Sequence, residues 1–541
     1  SPAMAQGIFT EVERDLLTAQ GIELASGGKQ KIFEEQFLIY RGLTRPSKGL
    51  WLTYAANDAE GRELSPSSLI ERLQRLDEGL QIEPMPAFDL EETAPTAVFH
   101  LLGGEMRKAT AEAPLSPLWQ DIYGFFDENS QWQKHLSLLK QGIGKTAKPE
   151  RLSPKTAKAL YGKNIFSSVS RLERFAGCPF SFFAEYGLKA EERRLYQLNT
   201  PDLGSLFHEV LELFSNKLEQ DSLPWTSLTK EETTARIHAA VEDAAPRLGN
   251  RILLDSAANQ YLIRRLKRIS TRAAWTLVQH LQQGDFVPAG YEVGFGAHEA
   301  LPPIVIRLQD GGSLILNGKI DRVDLLDANG TRYVKIIDYK SGNKTFHFQD
   351  IYYGLQLQLL VYLDAYLKYY KKTGASFKPG GVFYFRITDP TLALDEELSA
   401  EAIEKILYEK MRMSGLLLQE DVLIHGLDHS LAESRSSAIV PVGYTKKGDP
   451  TAASNLATEE QYAAILDFVA TRTQEIGDAM KAGIITPAPY RDGQRTPCSY
   501  CSYRSLCRHS YGEAPRWRKL KKIDKADFWE SITPKQPPET E

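Results

Sequence analysis

Residues 313–341 read SLILNGKIDRVDLLDANGTRYVKIIDYKS. Two strand-like runs flank Asn329-Gly330. Asn-Gly is the preferred two-residue hairpin loop, because both loop positions need positive φ. With those residues as the loop, Ala328 pairs with Thr331, Asp321 falls opposite Asp338, and Lys319 opposite Lys340. A side-chain period of two puts all four on one face, with Val323 and Ile336. Opposed carboxylates repel. A divalent cation between them turns that cost into a binding site, and hard ions such as Mg2+ or Mn2+ choose such oxygen ligands. The bland alternative is an exposed hairpin face of mixed charge, and a bulge would shift the register. Against it, Asp338-Tyr339-Lys340 abruptly closes the run Val334–Ile337. Lys340 can orient a water or stabilise charge developing on a phosphate.

Outward from the hairpin, residues 350–371 predict an aromatic-rich helix carrying Gln356, Gln358 and Tyr362. Gln358 and Tyr362 are four apart and share a helix face. His208 lies on an amphipathic helix expected over 203–217; alone, such a histidine is more often structural than a ligand. Further helices are expected over 258–283 and 459–482, and strands over 288–296, 303–308 and 380–386. Ser170-Arg-Leu-Glu173 has the capping-box pattern and opens a helix running into Cys178. Nearer the start, helices are expected over 7–24, 31–42 and 65–77, with a strand from Leu50 to Tyr54. Residues 80–96 carry Pro84, Pro86 and Pro95 and read as a linker; 97–160 read as helical. Gly142-Ile-Gly144-Lys145-Thr146 is no phosphate-binding loop, since Leu139 stands where a glycine is required.

The chain has only four cysteines: Cys178, and Cys498, Cys501 and Cys507 as C-x2-C-x5-C. Four thiolates can hold zinc or an iron–sulfur cluster, and the spacing leaves both open. A site built from both ends of this region would close a long loop and restrict the unfolded chain. Disulfides are rare in the cytosol, the setting that the rest of the sequence fits.

With 541 residues the chain is long enough for several domains. Its 65 basic and 70 acidic residues give a net charge of −5, which neither requires nor excludes nucleic acid. No uncharged apolar run of 18 residues predicts a membrane span, and no secretory signal pattern opens the chain. Ser1-Pro-Ala-Met4 resembles a cloning scar, and the chain reads as part of a longer protein.

GSLFHEVLE (204–212), GKIDRVD (318–324), IIDYKSG (336–342) and GLQLQLLVY (354–362) together resemble the successive motifs of the RecB-type PD-(D/E)XK nucleases. SRLERFAGCPFSFFAEYGL (170–188) and PCSYCSYRSLC (497–507) are similar to the iron–sulfur segments flanking that domain. The resemblance implies an α/β fold, a restriction-endonuclease-like mixed sheet flanked by helices, with an iron–sulfur clasp. It implies His208, Asp321, Asp338 and the Tyr339 carbonyl as ligands of Mg2+ (or Mn2+), and Lys340 as the catalytic lysine. Gln358 and Tyr362 become a pair that positions DNA, and Cys178, Cys498, Cys501 and Cys507 the ligands of a 4Fe–4S cluster. Tyr40 to Leu50 resembles the last motif of superfamily 1 helicases, with Arg45 in the place of the arginine that meets the γ-phosphate.

The expected organisation is a helicase-derived fragment over 1–80, a linker and helical segment over 81–164, a nuclease domain over 165–515 and a basic tail over 516–541. The resemblance extends to AddAB-type helicase–nucleases. It implies a cytoplasmic DNA exonuclease in double-strand break processing, single-stranded DNA as substrate and an AddA-like helicase–nuclease subunit as partner in a heterodimer. In the tail, Arg516, Arg518, Lys519, Lys521, Lys522 and Lys525 crowd around Trp517. They fit either a solvated segment or a contact with DNA or the partner.

Overall fold

The computed structural model describes residues 11–22, 24, 28–56, 63–77, 79–83, 93–109, 114–143, 151–191, 200–247, 257–392, 398–507 and 517–533. The chain divides into two compact units, Ser1–Lys145 and Thr146–Glu541. Much of the 80–96 linker, Gly144–Thr146, Arg516 and the last residues lie outside the described set.

The first unit is helical: α1 (Glu11–Ala19), α2 (Gly28–Thr44), α3 (Ser68–Leu76), α4 (Pro95–Lys108), α5 (Pro117–Glu128) and α6 (Ser130–Ile143). Helix α3 is capped by Ser67, whose Oγ accepts the Leu69 N–H at 3.3 Å. Helices α4 to α6 share a small core of Leu102, Phe126 and Leu136, tightened by edge-to-face packing of Phe126 on Phe99 and Trp132. The strand expected from Leu50 to Tyr54 does not form. It has no ladder partner among the described residues, and Trp51 is 93% exposed. Strand preference is realised only against a neighbouring strand.

The second unit opens with α7 (Pro154–Tyr161), β1 (Asn164–Ser167), α8 (Val169–Gly177), α9 (Pro179–Phe182) and a π-turn over Phe183–Gly187. Helices α10 (Thr200–Gln220), α11 (Lys230–Ala244) and α12 (Ala257–Gln282) follow, then strands β2 (Val287–Phe295), β3 (Ile304–Arg307), β4 (Ser313–Leu316), β5 (Gly318–Ala328) and β6 (Thr331–Lys340). A crossover of α13 (Phe348–Tyr352) and α14 (Gln358–Lys372) leads to β7 (Phe377–Arg386). Then come α15 (Ala400–Lys410), β8 (Ser414–Leu418), α16 (Asp421–Leu427), β9 (Leu456–Ala457) and α17 (Glu459–Lys481). The end holds β10 (Tyr490–Arg491), α18 (Arg504–Cys507), β11 (Arg518–Lys519) and α19 (Lys525–Ile532).

The main sheet runs β2-β5-β6-β7-β8-β9. It is mixed: β6/β7 and β8/β9 are parallel, the other pairs antiparallel. The hairpin has the expected register, from Ala328↔Thr331 to Arg322↔Ile337, around Asn329 and Gly330 at φ 50° and 76°. One face packs on α10 to α12 and carries a buried ionic group. Arg322 Nε and Lys335 Nζ lie 2.6 and 2.9 Å from the Asp324 carboxylate. Trp225 and Phe286 rings cover the two cations. Pairing offsets part of the desolvation cost of these buried charges, and removing one strands the others. The opposite face packs on α14, against which α8 and α17 lie.

Three local expectations are corrected. The run 313–327 is not one strand: β4 joins β1 and β3 in a small separate sheet, and Asn317 N–H bonds to Ser167 O where the chain crosses over. The single helix expected over 350–371 breaks at Gly354, whose φ of 74° lies in the left-handed region. Gln356 therefore sits in the break, while Gln358 opens α14. Helix α8 is capped by Ser168, not Ser170; its Oγ accepts the Arg171 N–H.

The basic tail is packed where it is described. Phe528 and Trp529 are buried in the main core, and the Arg518 guanidinium bonds the carbonyls of Ala176 and Gly177, just before Cys178.

Candidate active site

Three adjacent strands each bring one carboxylate to the same end of the sheet. Tyr291↔Arg322 and Val293↔Ile320 pair β2 with β5, so Glu292 falls beside Asp321. One position beyond Arg322↔Ile337, Asp321 falls beside Asp338. His208 projects from α10, its Nδ1 3.3 Å from Asp321 Oδ2. The ligand atoms of His208, Glu292 and Asp321 lie within 4.8 Å of one another. They line an open cleft of about 700 Å3 together with Gly204, Ser205 and Glu212.

The other expected residues lie beside this trio. Asp321 accepts the Tyr339 N–H at 2.6 Å, which fixes the peptide between Asp338 and Tyr339. Asp338 is buried, with Oδ1 taking a hydrogen bond from Gln358 Nε2 at 2.8 Å and Oδ2 paired with Lys340 Nζ. It stands outside the close trio of His208, Glu292 and Asp321. Tyr362, one turn after Gln358, packs on Phe295 with ring centres 5.6 Å apart. A Cβ on Gly318 would collide with the Tyr362 hydroxyl, so only glycine admits this tyrosine. Lys319 Nζ lies 3.9 Å from Glu292, and its side chain is half exposed.

The electrostatics are those of like charges held together. Burial, then the Asp321 and Glu212 charges, push the Glu292 carboxyl up to about 7. Burial and Asp321 push Asp338 up to about 6, with Lys340 opposing the rise. Burial lowers the His208 pKa, but the hydrogen bond and charge of Asp321 outweigh it and leave it raised above the usual imidazole value. Glu292 also adopts a φ of 46°, an uncommon conformation for a residue with a Cβ and one that clusters at functional sites. Imidazole nitrogen with two or three carboxylates is a donor set that fits a hard divalent ion.

Two residues escape the sequence reading. Glu292 sits in the strand YEVGF with no turn signal linking it to the hairpin. Glu173, half of an apparent capping box, instead reaches across to α14. Its Oε1 accepts the N–H groups of Leu357 and Gln358 at 2.8 and 3.1 Å, and its Oε2 meets Lys344 Nζ at 3.3 Å. A carboxylate at that helix start satisfies N–H groups that no local side chain caps.

The four cysteines form no disulfide with one another. Burial raises the Cys178 thiol pKa, and the Cys498 and Cys501 sulfurs raise it further. Cys498 in turn feels Cys501 and Cys507. Cys501 Sγ lies 4.0 Å from Ser181 Oγ, just beyond Cys178. The Cys178 thiol thus lies near enough to feel two of the C-terminal three, and four thiols are a donor set of the kind that zinc or an iron–sulfur cluster takes.

A mixed sheet with carboxylates and a lysine gathered at one end defines a class of metal-assisted nucleases. The profile of the PD-(D/E)XK nuclease superfamily matches residues 167–508, and the chain belongs to that superfamily. Residues 93–142, the α4–α6 bundle, match the fifth domain of the ATP-dependent helicase/deoxyribonuclease AddB. Among curated proteins, the B subunit of the ATP-dependent helicase/deoxyribonuclease of Alkaliphilus oremlandii is 38% identical, covering 97% of this chain and 46% of that protein. Its counterparts in Alkaliphilus metalliredigens and Ruminiclostridium cellulolyticum are 39% and 34% identical, over 93% and 98% of this chain and 44% and 47% of theirs. The chain spans about half the length of the curated relatives it matches. No helix among the described residues is long and apolar enough to cross a membrane.

Proposed function

We propose that the second unit is a divalent-metal-dependent deoxyribonuclease that hydrolyses phosphodiester bonds. Mg2+ or Mn2+ would be held by His208, Asp321 and Asp338 with the Tyr339 carbonyl, and Glu292 joins that set. The row of carboxylates across β2, β5 and β6, closed by His208 and Lys340, carries this reading. A bound ion supplies an activated water and neutralises charge on phosphate oxygens. Lys340 Nζ adds a positive charge where negative charge develops on the phosphate. Gln358 fixes the Asp338 carboxylate, and Tyr362 stands one turn further along the same helix. Hydrolysis adds water across one P–O bond, leaving a phosphate monoester and a sugar hydroxyl.

The substrate proposed is single-stranded DNA, delivered by an AddA-like helicase–nuclease subunit during double-strand break processing in the cytoplasm. The names of the relatives and the match at 93–142 support this. Residues 1–80 are read as a helicase-derived fragment. Cys178, Cys498, Cys501 and Cys507 would hold a 4Fe–4S cluster as a structural clasp. The test is digestion of end-labelled single strands with Mg2+ or Mn2+. The parent should digest them; Asp338→Ala and Lys340→Ala should not, with circular dichroism unchanged. Digestion at the parent rate by both variants contradicts the assignment.

A further inference from the structure

Helix α12 carries a row of cations that the active site does not use. Arg264, Arg268 and Arg272 recur every four residues, and Lys267 lies beside them. At 1.5 Å rise per residue the arginines stand about 6 Å apart, close to the spacing of phosphates along an extended strand. They border an open groove of about 630 Å3 between α11, α12 and α15. Its floor is apolar, with Trp275 and Tyr408 as aromatic faces beside Met411.

The cations outnumber their partners. Arg268 and Arg272 share Asp389 at 2.6 and 3.3 Å, and Lys267 pairs with Glu242 at 2.6 Å. Arg264 is exposed and has no carboxylate partner among the described residues. Lys230 and Lys405 add further charge from the other walls, against Glu404. Thr271 Oγ1 is buried in the groove wall with no hydrogen-bond partner.

The groove's position links it to the chemistry. Asp389 follows the C-terminal end of β7, and that end pairs with the end of β6 through Asp338↔Tyr384 and Lys340↔Arg386. Arg268 and Arg272 thus hold the segment that follows the end of the sheet bearing the carboxylates, and Trp275 lies three residues beyond Arg272 on α12.

We infer that this groove is a binding track for a single-stranded DNA segment, with phosphates on Arg264, Arg268 and Arg272 and a base against Trp275 and Tyr408. Phosphate attraction and base stacking on aromatic faces are the two ways in which strands are held without sequence preference. The inference rests on the proposed nuclease reading and extends it with a second contact region outside the metal site.

Anisotropy of labelled oligothymidylates of about 6 and about 16 nucleotides, bound to the full chain in EDTA over a salt series, tests it. Arg264→Glu with Arg268→Glu should weaken the long strand roughly tenfold or more and lower its salt slope by about two. Mg2+-dependent cleavage of the short strand should keep the parent rate. A 5-iodouracil strand cross-linked to the unmutated protein should label Trp275 or Tyr408. Unchanged long-strand affinity and slope, with short-strand cleavage intact, overturn the track and leave the nuclease reading standing. Equal competition by thymidine monophosphate overturns it in favour of a free-nucleotide site. A glutamate-rich peptide that binds the parent but not the double variant, while strand affinity stays unchanged, overturns it in favour of a protein contact. Loss of short-strand cleavage in the parent strikes the nuclease reading instead.

Discussion

Replacing Glu292 with glutamine should stabilise the protein and silence it together. The carboxyl is pushed from its usual 4.5 to about 7 by burial and by the neighbouring Asp321 and Glu212 charges. A carboxylate pKa raised on folding means that the folded state prefers the protonated form. The cost is absent below about pH 4.5, grows as pH rises through about 7, and is complete above that. A shift of this size corresponds to about 3 kcal/mol at most. The side chain is 19% exposed, and screening reduces this to about 1–3 kcal/mol. Glutamine keeps the shape and removes the charge. In EDTA at pH 8, Glu292→Gln should raise Tm by a few degrees, and the gain should fade towards pH 5. In saturating Mn2+ the order should reverse, because a parent that binds the ion gains about 2.7 kcal/mol at a hundredfold excess over Kd. Differential scanning calorimetry over a pH series with and without metal reads all of this. A gain independent of pH, or a metal-induced shift equal to the parent's, refutes the reasoning.

Other outcomes follow from the same geometry. Gly318→Ala should cost about 1–3 kcal/mol and most of the cleavage activity by displacing Tyr362, and adding Tyr362→Phe should recover part of the stability. The protein should absorb broadly near ~400 nm and carry about four irons per chain if the thiols hold a 4Fe–4S cluster. Cys178→Ala and Cys501→Ala should then lower Tm equally and without adding in the double variant; one zinc per chain and no colour contradict the iron assignment. Arg518→Ala should destabilise the region around Cys178, as seen by faster amide exchange in α8, whereas exposed Lys521→Ala should not.

The hairpin was legible because one local signal, Asn329-Gly330, sets the register of everything around it. Asp321 and Asp338 followed from counting. Glu292 did not, because the chain from β2 to β5 detours through β3 and β4 in a different sheet, and no turn fixes that register. The S-x-x-E pattern at 170–173 misled, because Ser168 two residues earlier takes the cap and frees Glu173 for α14. The break at Gly354 was hidden by the aromatic run on both sides, although Gly354 is what makes it. Cysteine spacing marked a shared site but not its metal. The tail's charge drew attention away from Phe528 and Trp529, which bury it against the core.

The central claim is that His208 and the carboxylates of three strands hold one divalent ion. Electron paramagnetic resonance of stoichiometric Mn2+ tests it most directly. One tightly bound ion per chain should show coupling to an imidazole nitrogen, lost in His208→Ala, and Asp338→Asn should weaken the affinity by roughly tenfold or more. A bound Mn2+ without nitrogen coupling, or one that is unaffected by either substitution, contradicts the account.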